Sequence, residues 1–71
     1  MKKKKVTNEI IKFMVSVGCI APTSDIENHA ARLGFNIHEA DGGIGYLRSI
    51  KALKIISDIP GKRGEHIFKL V

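Results

Sequence analysis

The chain has 71 residues, a formal net charge of +5, a single cysteine and no tryptophan. A chain of this length forms one small domain, whose thin core leaves little material for a deep catalytic cleft. One cysteine cannot form an internal disulfide, and no apolar run approaches the roughly eighteen residues that cross a bilayer. Because the pattern of a signal peptide is also missing, we expect a cytoplasmic protein that does not enter a membrane.

Positive charge is concentrated at the two ends of the sequence. Lys2–Lys5 contribute +4 and residues 46–71 another +4, whereas residues 6–45 carry −3. Two basic segments around a mildly acidic middle favour a polyanionic partner more than the total charge does. We expect residues 1–5 to form a flexible basic arm and residues 6–71 to form a single folded domain.

A first helix is predicted to begin at Thr7, a favourable N-cap, and to end at Gly18 in a left-handed turn. Its core face is an apolar stripe at helical spacing, formed by Ile10, Phe13 or Met14, and Val17. The apolar run Cys19–Ala21 before Pro22 then predicts a short edge strand. Cys19 has no companion at metal-ligand spacing, so a small buried hydrophobe is a better interpretation than a reactive thiol.

The second helix is predicted from Ser24–Glu27, which has the pattern of a capping box. In that motif the Ser24 hydroxyl accepts a hydrogen bond from the Glu27 amide, and the Glu27 carboxylate accepts one from the Ser24 amide. The helix would run from Asp25 to about Leu33 and end at Gly34. Because a capping role accounts for Glu27, we do not expect this side chain to be a catalytic acid.

The segment Asp41–Leu53 predicts the helix on which we expect the function to depend. Its apolar positions recur at helical spacing and would form one buried stripe of Ala40, Ile44, Leu47 and Ile50. Gly42, Gly43 and Gly45 are unusual, because each costs a helix up to about 1 kcal/mol relative to alanine. Either the ordered helix begins only near Ile44, which we favour, or the glycines allow another part of the chain to approach closely.

The C-terminal part of the chain predicts a β-hairpin. Two runs rich in strand-forming residues, Ile55–Ile59 and Glu65–Val71, flank the turn sequence Pro60–Gly64. Lys62 and Arg63 lie between glycines at the tip of this hairpin. Two adjacent cations at an exposed tip suit a contact with phosphate, although ordinary turn polarity explains them as well.

This order of helix, short strand, helix, turn, helix and hairpin resembles the winged helix-turn-helix domains of small prokaryotic and phage DNA-binding regulators. Thr23–Gly34 is similar to the second helix of that family. Leu47–Ile56 is similar to the end of its recognition helix and the start of its first wing strand, and Pro60–Gly64 to its wing tip. The resemblance implies an α+β fold, a winged helix-turn-helix with three helices and a C-terminal β-hairpin wing.

The resemblance also implies binding to double-stranded DNA, with the third helix in the major groove and the wing and basic tail on phosphates. The protein would then be a sequence-specific or architectural DNA-binding protein, acting as a transcriptional regulator, alone, as a homodimer or within a larger assembly. Candidates for contacts in the groove are Asn36, His38, Tyr46, Arg48 and Ser49. Candidates for phosphate contacts are Lys51, Lys54, Lys62, Arg63, Lys2, Lys3, Lys4 and Lys5. No cofactor and no metal site are expected.

Two other classes of function follow from the same residues. A winged helix can also serve as a protein or RNA interaction module, and Glu39 and Asp41 near the third helix fit a protein partner at least as well as DNA. An enzyme is disfavoured because the nucleophilic and metal-binding residue types are scattered without ligand-like spacing, as Cys19, His29, His38 and His66. A DNA-binding protein requires the third helix, wing tip and tail to present positive charge on one surface.

Overall fold

Three helices and three strands make up the computed structural model, which describes residues 5–58, 61 and 65–71. In chain order these elements are α1 (Val6–Ser16), β1 (Ile20–Pro22), α2 (Thr23–Arg32), α3 (Ile37–Ser49), β2 (Leu53–Asp58) and β3 (His66–Leu70). The strands form one antiparallel sheet in the order β1-β3-β2. The predicted α+β fold with a C-terminal hairpin is confirmed, and its topology is compatible with a winged helix. In the described part of the chain, no helix has the length and apolar character needed to span a bilayer.

The core lies between the three helices and one face of the sheet. Its largest fully buried side chains are Phe68, Ile10, Met14, Ile26 and Leu47, and Leu53 and Ala21 complete the sheet side. Side chains alternate along a strand, so burial of Leu53 and Phe68 turns Lys54 and Lys69 to the opposite face. These two lysines pair directly across β2 and β3 on the outer surface of the sheet.

All three helices end in turns that share one type of hydrogen bond and a left-handed residue, and after α1 the next residue, Cys19, is left-handed as well. Gly18 has φ 83° and Gly34 has φ 94°, as the sequence predicts for C-terminal glycines. The amide of the residue after each glycine donates to a carbonyl five positions earlier, at 2.7 Å after Gly18 and 3.0 Å after Gly34. After α3 the same position is occupied by Lys51, with φ 63°.

The predicted starts of the first two helices are wrong. α1 begins at Val6 with Lys5 as N-cap, so Thr7 lies inside the helix. α2 begins at Thr23, and its N-cap Pro22 makes no side-chain hydrogen bond. The Ser24 amide instead donates to Glu65 Oε1 at 3.2 Å, so the proposed capping box is not formed. Strand pairing explains the difference, because β1 leads directly into α2 and places this helix end against the residues that begin β3.

The third helix begins seven residues before the favoured start at Ile44. A true capping box lies at Asn36, whose Oδ1 accepts from the Glu39 amide at 2.8 Å, while Glu39 Oε1 accepts from the Asn36 amide at 3.2 Å. This cap offsets part of the cost of the glycines that follow, because it satisfies donors that otherwise lack partners. The alternative, that glycine allows close approach, is confirmed at Gly43 alone. A Cβ there would lie 2.9 Å from a methyl carbon of Val6.

The predicted apolar stripe of α3 is correct for three of its four residues. Ala40, Ile44 and Leu47 are buried, but Ile50 is 54% exposed. The helix ends at Ser49, and the left-handed Lys51 redirects the chain, so Leu53 enters the core instead of Ile50. A helical periodicity that continues past the last helical residue therefore misassigned this one side chain.

Candidate nucleic-acid interface

The outward face of α3 is slim and polar apart from one aromatic ring. Helical spacing places five residues on this face, namely His38, Gly42, Gly45, Tyr46 and Ser49, and all five are exposed. We call these five residues the outer face of α3. A Cβ at Gly42 or Gly45 would meet nothing within 4 Å, so packing among the described residues does not require glycine at either position. Tyr46 is 56% exposed and is the largest side chain on this face.

Two of the predicted groove-contact residues already make hydrogen bonds within α3. Asn36 Oδ1 is used by the helix cap described above. Ser49 Oγ donates to the Tyr46 carbonyl at 2.6 Å, which leaves its lone pairs as acceptors toward solvent. Among the described candidates, His38, Tyr46 and Arg48 therefore keep their polar groups for an external partner more fully than Asn36 or Ser49.

A groove of about 290 Å³ runs beside the outer face of α3, between that helix, α2 and β3. It is lined by Thr23, Glu27, Asp41, Ile44, Gly45, Arg48, His66 and Phe68. Ile44 and Phe68 belong to the core, so the groove has an apolar floor and charged walls. We call it the α2–α3 groove.

Carboxylates converge at the α2–α3 groove. Glu27 on α2 hydrogen-bonds with Asp41 on α3, and this bond is the largest of several causes that raise the pKa of Glu27 to about 7. Partial burial and the negative charges of Asp41 and Glu65 act in the same direction. Glu65 is held at this place by the Ser24 amide. Glu27, which the sequence pattern assigned to a helix cap, is therefore a titratable side chain in the α2–α3 groove.

The base of the hairpin is fastened to the start of α2. The Thr23 hydroxyl donates to the His66 carbonyl at 3.1 Å and accepts from the His66 amide at 3.0 Å. The His66 ring pairs through Nδ1 with Asp58 on β2 and meets Phe68 edge-on. These contacts keep the N-terminus of α2 next to the base of the hairpin.

The cations predicted to contact DNA are not gathered on one surface in the described residues. Arg48, a predicted groove contact, lies on the wall of the α2–α3 groove, and Lys51, a predicted phosphate contact, lies in the turn after α3. Lys54 lies on the outer surface of the sheet, opposite Lys69 and away from the groove. Lys5 is exposed at the start of α1. The remaining candidates, Lys2, Lys3, Lys4, Lys62 and Arg63, lie outside the described residues, as do Ile59 and most of the predicted wing tip.

The other residues with chemical potential have local explanations. The His29 ring stacks on Phe13 with centroids 4.6 Å apart, which is a packing role. Cys19 is half-buried and has φ 68°, in the turn that follows α1. Among the residues that the structure describes, no three His, Cys, Asp or Glu side chains are arranged to hold a metal ion.

The convergence of Glu27, Asp41 and Glu65 was not predicted from the sequence. These residues are 14 and 24 positions apart, and only the packing of α2 against α3 and β3 brings them together. The spacing of the three gives no periodic pattern that would have identified them. Comparisons of the chain with protein families, with curated proteins and with solved structures found no match.

Proposed function

We propose that this protein binds duplex DNA through the outer face of α3 together with Arg48, which lies beside that face on the wall of the α2–α3 groove. The observation that carries this proposal is the pair of open glycines, Gly42 and Gly45, in the middle of an exposed helix. Each weakens α3 by up to about 1 kcal/mol relative to alanine, and none of the described residues packs against either position. A bulky partner that approaches the helix backbone closely gives these glycines a physical reason, and the edges of base pairs in a major groove are such a partner.

Arg48 is the residue that we propose to read a base. It is exposed, and it lies on the same helix one turn from Gly45. Its guanidinium can donate two hydrogen bonds to guanine O6 and N7, a contact that contributes about 1–3 kcal/mol of discrimination. The carboxylates of the α2–α3 groove lie beside Arg48 and disfavour phosphate there, so phosphate contacts are assigned to Lys51, the basic arm and the hairpin tip.

The order of the elements supports placing the chain among winged helix-turn-helix domains, as its sequence resemblance does. Under this proposal the protein is a small cytoplasmic regulator of transcription, of sequence-specific or architectural type. A single domain of this size offers one recognition helix, so a symmetric operator requires a homodimer or a larger assembly.

The test is a fluorescence titration of a labelled random-sequence duplex at low and at moderate salt. We expect micromolar binding that weakens steeply with salt, because each phosphate contact contributes a slope of about −0.9 in log K against log salt. On the tightest-binding sequence selected from that random pool, Arg48→Ala is expected to weaken binding about tenfold, as loss of one base contact of about 1.4 kcal/mol predicts. On the random pool itself the same variant is expected to change binding little, because phosphate contacts carry no sequence information.

The matched control is Arg32→Ala. Arg32 is exposed at the end of α2 and lies with Phe13 and His29 on the opposite side of that helix, so the variant removes the same charge from a surface away from α3. Equal losses for both variants would indicate a general charge effect and would contradict the proposed base contact of Arg48. Absence of binding even at low salt would exclude the DNA-binding function.

A protein partner is a second candidate, and one observation favours it. Tyr46 and Ile50 are 56% and 54% exposed and lie four residues apart at the C-terminal end of α3. An exposed apolar pair suits the apolar surface of another protein better than it suits phosphate. If the protein does not bind duplex DNA and Tyr46→Ala abolishes its binding to such a partner, this alternative is established.

A further inference from the structure

We propose that Glu27 and Asp41 form a proton-sharing carboxyl pair that fastens α2 to α3 when protonated and loosens their contact when both groups are ionised. The inference concerns the scaffold that presents α3 and does not depend on duplex binding. It rests on where the two side chains lie and on which groups surround them.

The two carboxyl groups bridge separate helices across the α2–α3 groove. Glu27 is half-buried on α2, whereas Asp41 is exposed on α3, and both line the groove above Ile44 and Phe68. A hydrogen bond between two carboxyl groups requires one proton, because two carboxylates have only acceptors. The bond between Glu27 and Asp41 therefore exists only while the pair holds a proton.

The charges around the pair decide how readily it gives up that proton. Asp41 on α3 and Glu65 next to β3 act on Glu27 directly, and Arg48 on α3 and His66 on β3 line the same groove. The His66 ring is already paired with Asp58 of β2. Neither α1 nor β2 contributes a described residue to the lining of the groove, so the remaining neighbours of Glu27 there are neutral.

The balance of these groups favours the protonated form. The hydrogen bond to Asp41, partial burial and the charges of Asp41 and Glu65 together raise the pKa of Glu27 from 4.5 to about 7. The folded protein therefore binds more protons than the unfolded chain between these two values. It follows that the contribution of Glu27 to folding stability is present below about pH 4.5 and is lost as pH rises through about 7.

The first test is carbon-detected NMR of the carboxyl carbons in the full-length, ¹³C-labelled protein across this range of pH. We expect the Glu27 carboxyl signal to titrate with a midpoint near 7, and we expect Asp41→Asn to move that midpoint down toward 4.5. A Glu27 midpoint near 4.5 in the unmodified chain would overturn the proposal. This measurement uses the unmodified chain, so its outcome does not depend on whether a variant folds.

The second test compares melting temperatures at about pH 5 and about pH 8, which span most of the range over which the linkage predicts the loss of stability. The side-chain amide introduced by Glu27→Gln can donate permanently to the Asp41 carboxylate, so the variant imitates the protonated pair at every pH. We expect the decrease in melting temperature from the acidic to the basic condition to shrink in Glu27→Gln relative to the unmodified protein.

Asp25→Asn is the matched control for the second test. Asp25 is an exposed acid in the first turn of the same helix, and it does not line the groove. We expect this variant to keep the full pH dependence of the unmodified protein. A pH dependence that is the same in Glu27→Gln, Asp25→Asn and the unmodified protein would contradict the proposed pair.

Discussion

The two contacts that α3 makes with its neighbouring helices differ in kind. Toward α1 the contact is apolar and tight, since a Cβ at Gly43 would lie 2.9 Å from Val6 Cγ1 and 3.0 Å from Ile10 Cδ1. Toward α2 it is an open groove in which carboxyl groups meet. Steric contact does not change with pH, whereas contact between carboxyl groups does. One side of the helix is therefore fixed by packing, and the other is adjustable.

The substitution expected to destabilise the packed side of α3 most is Leu47→Ala, which truncates a fully buried side chain. We expect the free energy of unfolding to fall by about 2–5 kcal/mol, because deletion of a core side chain leaves a cavity. Urea denaturation at acidic and at basic pH measures this loss. The loss is expected to be the same at both, since no titratable group is removed, and a loss confined to one pH would contradict the comparison.

Gly43→Leu tests the same side by overfilling it. The new side chain has to displace Val6 and Ile10, so we expect a loss of about 1–3 kcal/mol in the free energy of unfolding. Gly42→Leu is the matched control, because that position is open and leucine favours helix more than glycine does. If urea denaturation shows that Gly42→Leu is less stable than Gly43→Leu, the contact of α3 with α1 is not the tight one.

Lys51→Gly tests the end of α3, where the chain leaves the helix. Lysine at φ 63° is strained by about 1–2 kcal/mol, and glycine relieves this strain while losing about 0.5–1 kcal/mol in conformational entropy. We expect a net gain of up to about 1 kcal/mol, measured as a higher midpoint of urea denaturation. Lys51→Ala removes the same charge but keeps a Cβ, so a gain in this variant would refute the explanation by backbone strain.

The smallest expected effect links the adjustable side to the proposed function. Ionised Glu27 adds negative charge beside Arg48, so duplex binding should weaken as the pair loses its proton. For one partly exposed charge we expect about a two- to fivefold higher Kd at about pH 8 than at about pH 6. Fluorescence titrations at constant salt measure this change, and Glu27→Gln should reduce it. A reduction of the same size in Asp25→Asn would assign the effect to net charge alone.

Local patterns predicted the elements whose causes are local. Gly18 and Gly34 were identified as helix ends because a left-handed residue is needed directly after a helix, and glycine adopts that conformation without strain. The hairpin strands and the edge strand before α2 were also found, from short apolar runs bounded by turn residues. The fold class followed from the order of these elements along the chain.

Predictions failed where a distant segment supplied the partner. Ser24 has the pattern of a helix cap, but its amide is satisfied by Glu65, which is 41 residues away. Lysine at position 51 gave no indication of a left-handed turn, so the apolar stripe was extended to Ile50. In both cases the local pattern was present, and a contact or a backbone conformation set by the tertiary structure replaced it.

The sequence by itself therefore determined the elements, their order and most of the apolar face of each helix, with Val17 and Ile50 as exposed exceptions, because these depend on spacing between near neighbours. The tertiary structure alone decided which of three similar glycines is needed for packing. It also decided that Glu27 and Asp41 meet, because the distance between side chains on different helices depends on how the core packs. The pKa of Glu27 follows from that distance, and no periodicity in the chain encodes it.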